Sequence, residues 1–337
     1  MIQKLTRRAA FGLGTAVAAS AVLATPALAD DDAEEISPAT ADRARRRVQR
    51  VYQRAADCAG GTWNSYISVA DPDGTPVAAV DLGSDDLVEA YSVNKIAVAT
   101  AVLDKVDRGL ITLTQQVDVP ASIVIPDGDG IIKLDRAYPS EFTVGHALAL
   151  LLTVSDDTAV RLSGLVCPAK ELNEILVAKG FPKTQVVPVA NPNRFFLGKT
   201  TPRETHDLLQ ALVKGTLLSA ASSDFLLNIL RSQVAFTDGI RRVMSSNDRA
   251  RVATKAGWLH DGRNEAGVMF DKAGKPVLTY SLFANGQGAP DDFGATHPAV
   301  QARSEMGPAF LRAVDRIAGA QDARTLSAQA YQPSNGG

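Results

Sequence analysis

Strand-like segments stand at both ends of this 337-residue chain, with a long helical stretch between them. Trp63 to Val69 and Pro76 to Leu82 alternate apolar and polar residues, and Asp71-Pro72-Asp73-Gly74 supplies the turn that joins them. Strand patterns return only at Arg251, as RVATKAGWL, EAGVMFDKAG and KPVLTYSLFANG. The two sets are expected to pair in one antiparallel sheet. Between them SVNKIAVATAVLDKVDRG, TVGHALALLLTVSDDTAVRLSGLV, AKELNEILVAKG, TPRETHDLLQALVKG and SDFLLNILRSQ carry helical patterns. A basic helix within Pro38 to Ala59 places Val48, Val51 and Tyr52 on one face, and PAVQARSEMGPAFLRAVDRIAG forms a last helix. The expected fold is α+β. It is an antiparallel sheet with flanking N- and C-terminal helices plus an inserted all-helical domain, with a cleft between the two parts.

The N-terminus reads as an address rather than as part of the fold. Lys4, Arg7 and Arg8 form a basic head, residues 11–23 are apolar, and Ala27-Leu28-Ala29 is a small-residue cleavage pattern. Thr6-Arg7-Arg8 followed by Phe11 matches a twin-arginine export signal. The apolar run is short of the roughly 20 residues that span a bilayer, so export to the periplasm or the outside is expected, with no stable membrane span after processing. The expected divisions are a signal peptide (1–29), an acidic disordered leader (30–37), a catalytic domain (38–325) and a disordered polar tail (326–337). Within that domain the α/β part covers 38–91 and 236–325, and the helical part covers 92–235.

Charge and composition narrow the function classes. The chain carries 35 basic and 37 acidic residues, three of the basic ones in the leader, so nothing electrostatic points to a nucleic-acid partner. His146, His206, His260 and His297 have no metal-ligand spacing. Neither a metal nor a cofactor is expected, and a monomer is. Cys58 and Cys167 are far apart in sequence, and whether they pair in an oxidising compartment stays open.

At the head of the helical stretch Ser92 stands three residues before Lys95, so both side chains share a helix face. A serine hydroxyl needs a nearby base, and a lysine serves if burial and neighbouring positive charge depress its pKa. The helix start adds backbone N–H groups for a developing oxyanion. A serine N-cap beside a solvated lysine explains the pair equally well when it stands alone. Two further motifs change the balance: Ser155-Asp156-Asp157 opens a later helical run, and Lys255-Ala256-Gly257 lies on a strand. The same tripeptides recur at Ser84 to Asp86 and Lys272 to Gly274, but the first is out of order and the second is in a turn.

In order, spacing and context, Ser92, Lys95, Ser155 and Lys255 resemble the Ser-x-x-Lys, Ser-Asp-Asn and Lys-Thr-Gly set of class A β-lactamases and penicillin-binding proteins. TTPRE at Thr200 to Glu204 resembles that family's entry to the helix after its omega loop. The resemblance implies that Ser92 attacks a carbonyl and is acylated, that Lys95 activates it, and that Ser155 relays a proton to the leaving nitrogen. Lys255 would tune that path and attract an anionic substrate. The Ser92 and Trp258 amides would form the oxyanion hole, and the Trp258 side chain either lines the cleft or simply packs.

Three departures bear on function. Asp157 stands where the family has Asn, so a donor becomes an acceptor that either pairs with Lys95 or faces a substrate N–H or cation. Ala256 replaces Thr or Ser and removes one hydrogen bond to a substrate carboxylate, worth about 0.5–1.5 kcal/mol. Ile175 to Arg203, the omega-loop stretch, contains no Asp or Glu, and Asn191 and Asn193 are neutral. Asn191, Asp157, Ala256 and Gly257 are therefore the expected substrate contacts. The expectation is an exported active-site-serine hydrolase, acylated by a β-lactam, amide or ester and slow to deacylate. A D,D-peptidase-like enzyme, an ester hydrolase or acyltransferase, and a β-lactam-binding protein without turnover are the alternatives.

Overall fold

The first helix, α1 (Ala41–Ala59), shows how the chain sorts its residues. Ala44, Val48, Tyr52, Ala55 and Ala56 recur at three- and four-residue intervals and are buried, while Arg43, Arg46, Arg50 and Arg54 are exposed or nearly so. The computed structural model describes residues 41–235, 239–315, 317, 324–332, 334 and 336. The expected signal peptide and acidic leader lie outside the described residues.

After α1 come β1 (Thr62–Ala70), β2 (Pro76–Leu82), β3 (Val88–Glu89), a single 3₁₀ turn at Tyr91–Asn94 and α2 (Lys95–Asp107). The middle of the chain forms β4 (Gln116–Val119), α3 (Ile132–Asp135), β5 (Ser140–Thr143), α4 (Val144–Thr153), α5 (Asp157–Val166) and α6 (Ala169–Ala178). It continues through β6 (Gln185–Pro188), β7 (Phe195–Thr200), α7 (Pro202–Lys214), α8 (Ala220–Arg231) and α9 (Ser246–Arg249). Then β8 (Val252–Leu259), β9 (Gly262–Phe270), β10 (Pro276–Asn285) and α10 (Pro298–Val314) return to the sheet.

The early and late strands do pair, in the antiparallel order β2-β1-β10-β9-β8. Trp63 lies opposite Ala284 and Ile67 opposite Tyr280, so strands more than two hundred residues apart share one register. One face of the sheet packs Ile67, Val69, Tyr280 and Leu282 against Val48 and Tyr52 of α1 and Phe310 of α10. The other face gives Ala253, Val268, Phe270 and Phe283 to the helical core. Every residue of α2 from Lys95 to Leu103 is buried, which is the pattern of a central helix with no solvent face. It carries the start of the Ser92 motif into the middle of the molecule.

The inserted part contains more than helices. β4 pairs β5, and β7 pairs β6 on one side and β3 on the other. The stretch read as an omega loop is largely this β6–β7 hairpin, because Val186, Val187, Phe195, Phe196 and Leu197 fit a pleated surface on either side of Asn191-Pro192-Asn193. Nor is the tail loose where it was expected to begin. Leu326 is buried, its N–H donates to Gly274 O at 2.8 Å, and its carbonyl accepts from Arg231. Cys58 is exposed on α1 and Cys167 is buried after α5, both as free thiols, and burial pushes the Cys167 thiol up to about 12. Among the described residues no helix is long and apolar enough to cross a membrane.

Candidate active site

Ser92 lies in the 3₁₀ turn Tyr91–Asn94, just before α2 rather than within it. Neighbouring strands hold this turn. Asn94 Nδ2 donates to the carbonyls of Leu197 at 2.7 Å and Lys199 at 3.1 Å, and Asn264 Nδ2 on β9 donates to Glu89 O at 2.9 Å. Tyr91, next to the serine, has a φ of 49°, a left-handed backbone that an aromatic residue keeps only when its surroundings impose it. Lys95 follows one turn later and is fully buried.

Ser155 also has a left-handed φ, 55°. The next residue explains how that is held. Asp156 caps α5 by accepting from Ala159 N at 3.0 Å, and its second oxygen accepts from Ile131 N at 2.7 Å and Ile132 N at 2.9 Å. One buried carboxylate thus fixes α5 to the loop that precedes α3. Gly130 is required in that loop: its φ is +98°, and a Cβ would lie 2.2 Å from Asp156 Oδ2.

Lysines from two elements, α2 and β8, converge on the Ser155 hydroxyl. Lys95 Nζ donates to Ser155 O at 2.5 Å, Ser155 Oγ at 3.1 Å and Asp157 Oδ1 at 2.7 Å. Lys255 Nζ, on β8, lies 3.1 Å from Ser155 Oγ and donates to Ala256 O at 2.5 Å. Asp157 Oδ2 accepts from Asp129 N at 2.9 Å, so both oxygens of the residue standing for the family's Asn are engaged within the protein. Burial lowers the Lys95 pKa, while Asp157 and then Asp129 and Asp156 pull it back up. Burial drives Lys255 well below its ordinary value, and the neighbouring Lys95 charge pushes it further down.

β8 is an edge strand of the main sheet, and its outer edge faces the Ser92 turn. A Cβ on Gly257 would come within 2.7 Å of the Ser92 amide nitrogen and 2.8 Å of the Val93 amide nitrogen, so only glycine admits this approach. Leu259 pairs Gly262 across the two-residue turn His260-Asp261. Alternation along the strand then turns the Trp258 N–H to the outer edge, the side from which the Ala256 carbonyl receives Lys255. Two backbone amides, of Ser92 and Trp258, stand on the two sides of this seam.

The cleft beside Ser92 has a volume of about 1090 Å³. Ser92, Asp157 and Trp258 line it, and the Trp258 side chain is half-buried there. Asn191 does not line it. That residue sits exposed in the β6–β7 connection, where its Oδ1 accepts from Asn193 N at 3.0 Å and its carbonyl from Arg194 N at 2.9 Å. The expected contact from Asn191 is replaced by apolar walls: Val187, Val189, Phe196 and Leu197 on one side, Leu259 and Phe293 on the other.

Asp129 is the residue in the cleft that sequence reasoning passed over. Its half-buried carboxylate faces Asp157, Lys95 and Lys255, and burial followed by the Asp157 charge raises its pKa. The only sequence signal was the Gly-flanked acidic run Asp127-Gly128-Asp129-Gly130, which on its own reads as an exposed turn. Chemically, the arrangement offers a hydroxyl at a helix start, two amides beside it, and a serine hydroxyl between two lysine nitrogens that can carry a proton. Among the described residues no cluster of His, Cys, Asp and Glu is placed to hold a metal ion.

The model of a beta-lactamase enzyme family matches residues 43–314. No curated protein matches the chain significantly. Among solved structures, a β-lactamase from Sphaerobacter thermophilus shares 23% identity over 81% of this chain and 98% of its own, with a TM-score of 0.65. One from Chitinophaga pinensis shares 20% identity over 80% and 99%, also at 0.65. A point mutant of PBP-A, solved as an acyl-enzyme complex with penicillin G, shares 20% identity over 80% and 97%, at 0.61. These likenesses are of fold. The family match runs from the basic first helix to the end of the last one, and the chain belongs to the beta-lactamase enzyme family.

Proposed function

We propose that this protein is an exported serine hydrolase that forms an acyl-enzyme at Ser92 with a β-lactam, amide or ester and releases it slowly. The observation that carries the reading is the Ser155 hydroxyl held 3.1 Å from both Lys95 Nζ and Lys255 Nζ, with Lys95 one helical turn from Ser92. Such a chain can take a proton from an attacking serine and return it to a leaving nitrogen. The Gly257 approach supports Ser92 and Trp258 as oxyanion donors. Slow release is argued from the wall opposite: the β6–β7 hairpin contributes apolar side chains and no carboxylate. The twin-arginine leader supports export.

A second reading, a β-lactam-binding protein that acylates and stalls, is favoured by the same acid-free wall. Turnover of a reporter β-lactam and of a simple ester, each compared with Ser92→Ala, separates the two. Repeated turnover lost in the variant supports the enzyme, a single stoichiometric adduct supports the binder, and activity that survives Ser92→Ala overturns both.

A further inference from the structure

Asp157 changes which lysine is free to act. An ammonium has three N–H donors. Those of Lys95 meet three acceptors: Asp157 Oδ1 at 2.7 Å, Ser155 O at 2.5 Å and Ser155 Oγ at 3.1 Å. The side chain is fully buried, it forms an ion pair with Asp157, and its hydrogen bonds go to Ser155 and Asp157 rather than to Ser92. A lysine in that position has no lone pair to offer.

Lys255 has the opposite surroundings. Its nitrogen has two partners, Ser155 Oγ at 3.1 Å and Ala256 O at 2.5 Å, and among the described residues no carboxylate lies within ion-pair distance. It too is buried. The groups that face it are Lys95 from α2, Asp129 from the loop before α3, Asp157 from α5 and Glu265 from β9. Asp157 is spent on Lys95, and the Glu265 carboxylate is engaged by Thr254 Oγ1 at 2.7 Å and Ile240 N at 3.0 Å. Two ammonium groups on one buried hydroxyl repel; Asp157 shields the Lys95 charge and, among the described residues, no ion pair shields that of Lys255, so the lysine without a carboxylate is the one that gives up its proton.

We propose that Lys255, through the Ser155 hydroxyl, is the proton acceptor for Ser92, and that Lys95 is a permanent ammonium that holds Ser155 and Asp157 in place. The inference rests on the acyl-enzyme reading above. As the Ser92 Oγ–H bond breaks and Oγ bonds to the substrate carbonyl carbon, the proton goes to Ser155 Oγ. The Ser155 proton moves at the same time to the Lys255 lone pair, and the carbonyl oxygen takes the negative charge. When the tetrahedral centre collapses and its bond to the leaving group breaks, the proton returns from Lys255 through Ser155 to that group. Protons and charge balance with no further reactant.

Two measurements on the full mature chain test this, with Ser92→Ala as the control. The first is single-turnover acylation by a reporter penicillin, followed by intact mass. Lys255→Arg, which keeps the charge but cannot act as a base, should lose at least about 100-fold in rate, the scale of a general base. Lys95→Arg should lose much less. The second is the NMR signal of each lysine ε-methylene near pH 8, which separates a neutral amine from an ammonium. One neutral signal should vanish in Lys255→Arg and persist in Lys95→Arg. A neutral signal that persists in Lys255→Arg, or no neutral lysine at all, overturns the assignment, and this arm decides even if Lys95→Arg does not fold. If the unmodified protein forms no Ser92 adduct, the acyl-enzyme reading fails, while the NMR still decides which lysine is neutral.

Discussion

Gly257 lies against Ser92 so closely that a single added carbon would sit 2.7 Å from the serine's amide nitrogen. Backbone atoms on both sides leave no flexible group to move aside. Gly257→Ala is therefore expected to push β8 and the Ser92 turn apart and to cost acylation about 100-fold or more, the scale of losing an oxyanion donor. Global stability should change far less than that rate. Single-turnover acylation beside thermal unfolding checks the pair of outcomes.

The adduct itself gives the second test. Incubation with a penicillin should leave a mass increment on the peptide that contains Ser92, lasting minutes or longer, with a burst followed by slow turnover. Residual release should depend on a carboxylate from outside the β6–β7 hairpin. Asp129→Asn is expected to lengthen the adduct's lifetime about 100-fold, the low end of what a general base contributes. Asn191→Glu should leave it unchanged, because that position is exposed in a turn and does not line the cleft. Fast steady-state hydrolysis without an adduct would contradict the first expectation, and faster release in Asn191→Glu the second.

Asp156 is expected to matter for stability rather than chemistry. It accepts three backbone N–H bonds that join α5 to the loop before α3. Asp156→Ala leaves those donors without a partner in a buried place, at a cost of about 3 kcal/mol. Urea unfolding should show a lower midpoint with an unchanged slope. Asp156→Asn keeps one acceptor oxygen and should cost less.

Lys255 makes stability depend on pH. The folded protein holds this lysine well below its ordinary value of 10.5, so between the two values the unfolded chain binds the extra proton. Stability therefore rises with pH across that window and falls as pH drops through it. Lys255→Met removes the effect. The variant should gain stability relative to the unmodified protein at pH 7, and that gain should shrink towards pH 10. Unfolding midpoints measured at both pH values check this.

The parts legible in the sequence were those with a local signature. The Asp71 to Gly74 turn, the alternation in KPVLTYSLFANG and the four-residue rhythm of α1 each follow from neighbours in the chain, and the sheet was recovered from them. Ser92, Lys95, Ser155 and Lys255 stood out through order and spacing. Asp129 did not, because its place opposite the lysines is made by Asp156, whose carboxylate draws Ile131 and Ile132 onto α5. The β6–β7 hairpin was readable in principle from Val186, Val187 and Phe195 to Leu197 around an Asn-Pro-Asn turn. The expectation of an omega loop masked it. Asn191 was misplaced for the same reason, since a hairpin turn carries its central residues away from the cleft.

The apolar rim has a thermodynamic consequence. Phe196 is 70% exposed, Leu259 51%, Val187 47% and Phe293 46%, and all four border the cleft. An occupant that covers them removes hydrocarbon from water, worth roughly 25 cal/mol for each Å². Binding should then carry a negative heat-capacity change, so its enthalpy becomes more favourable on warming. A ligand held mainly by the ionic groups would show a weak temperature trend and a strong dependence on salt. Calorimetry at several temperatures thus reads the shape of the preferred acyl group even before its identity is known.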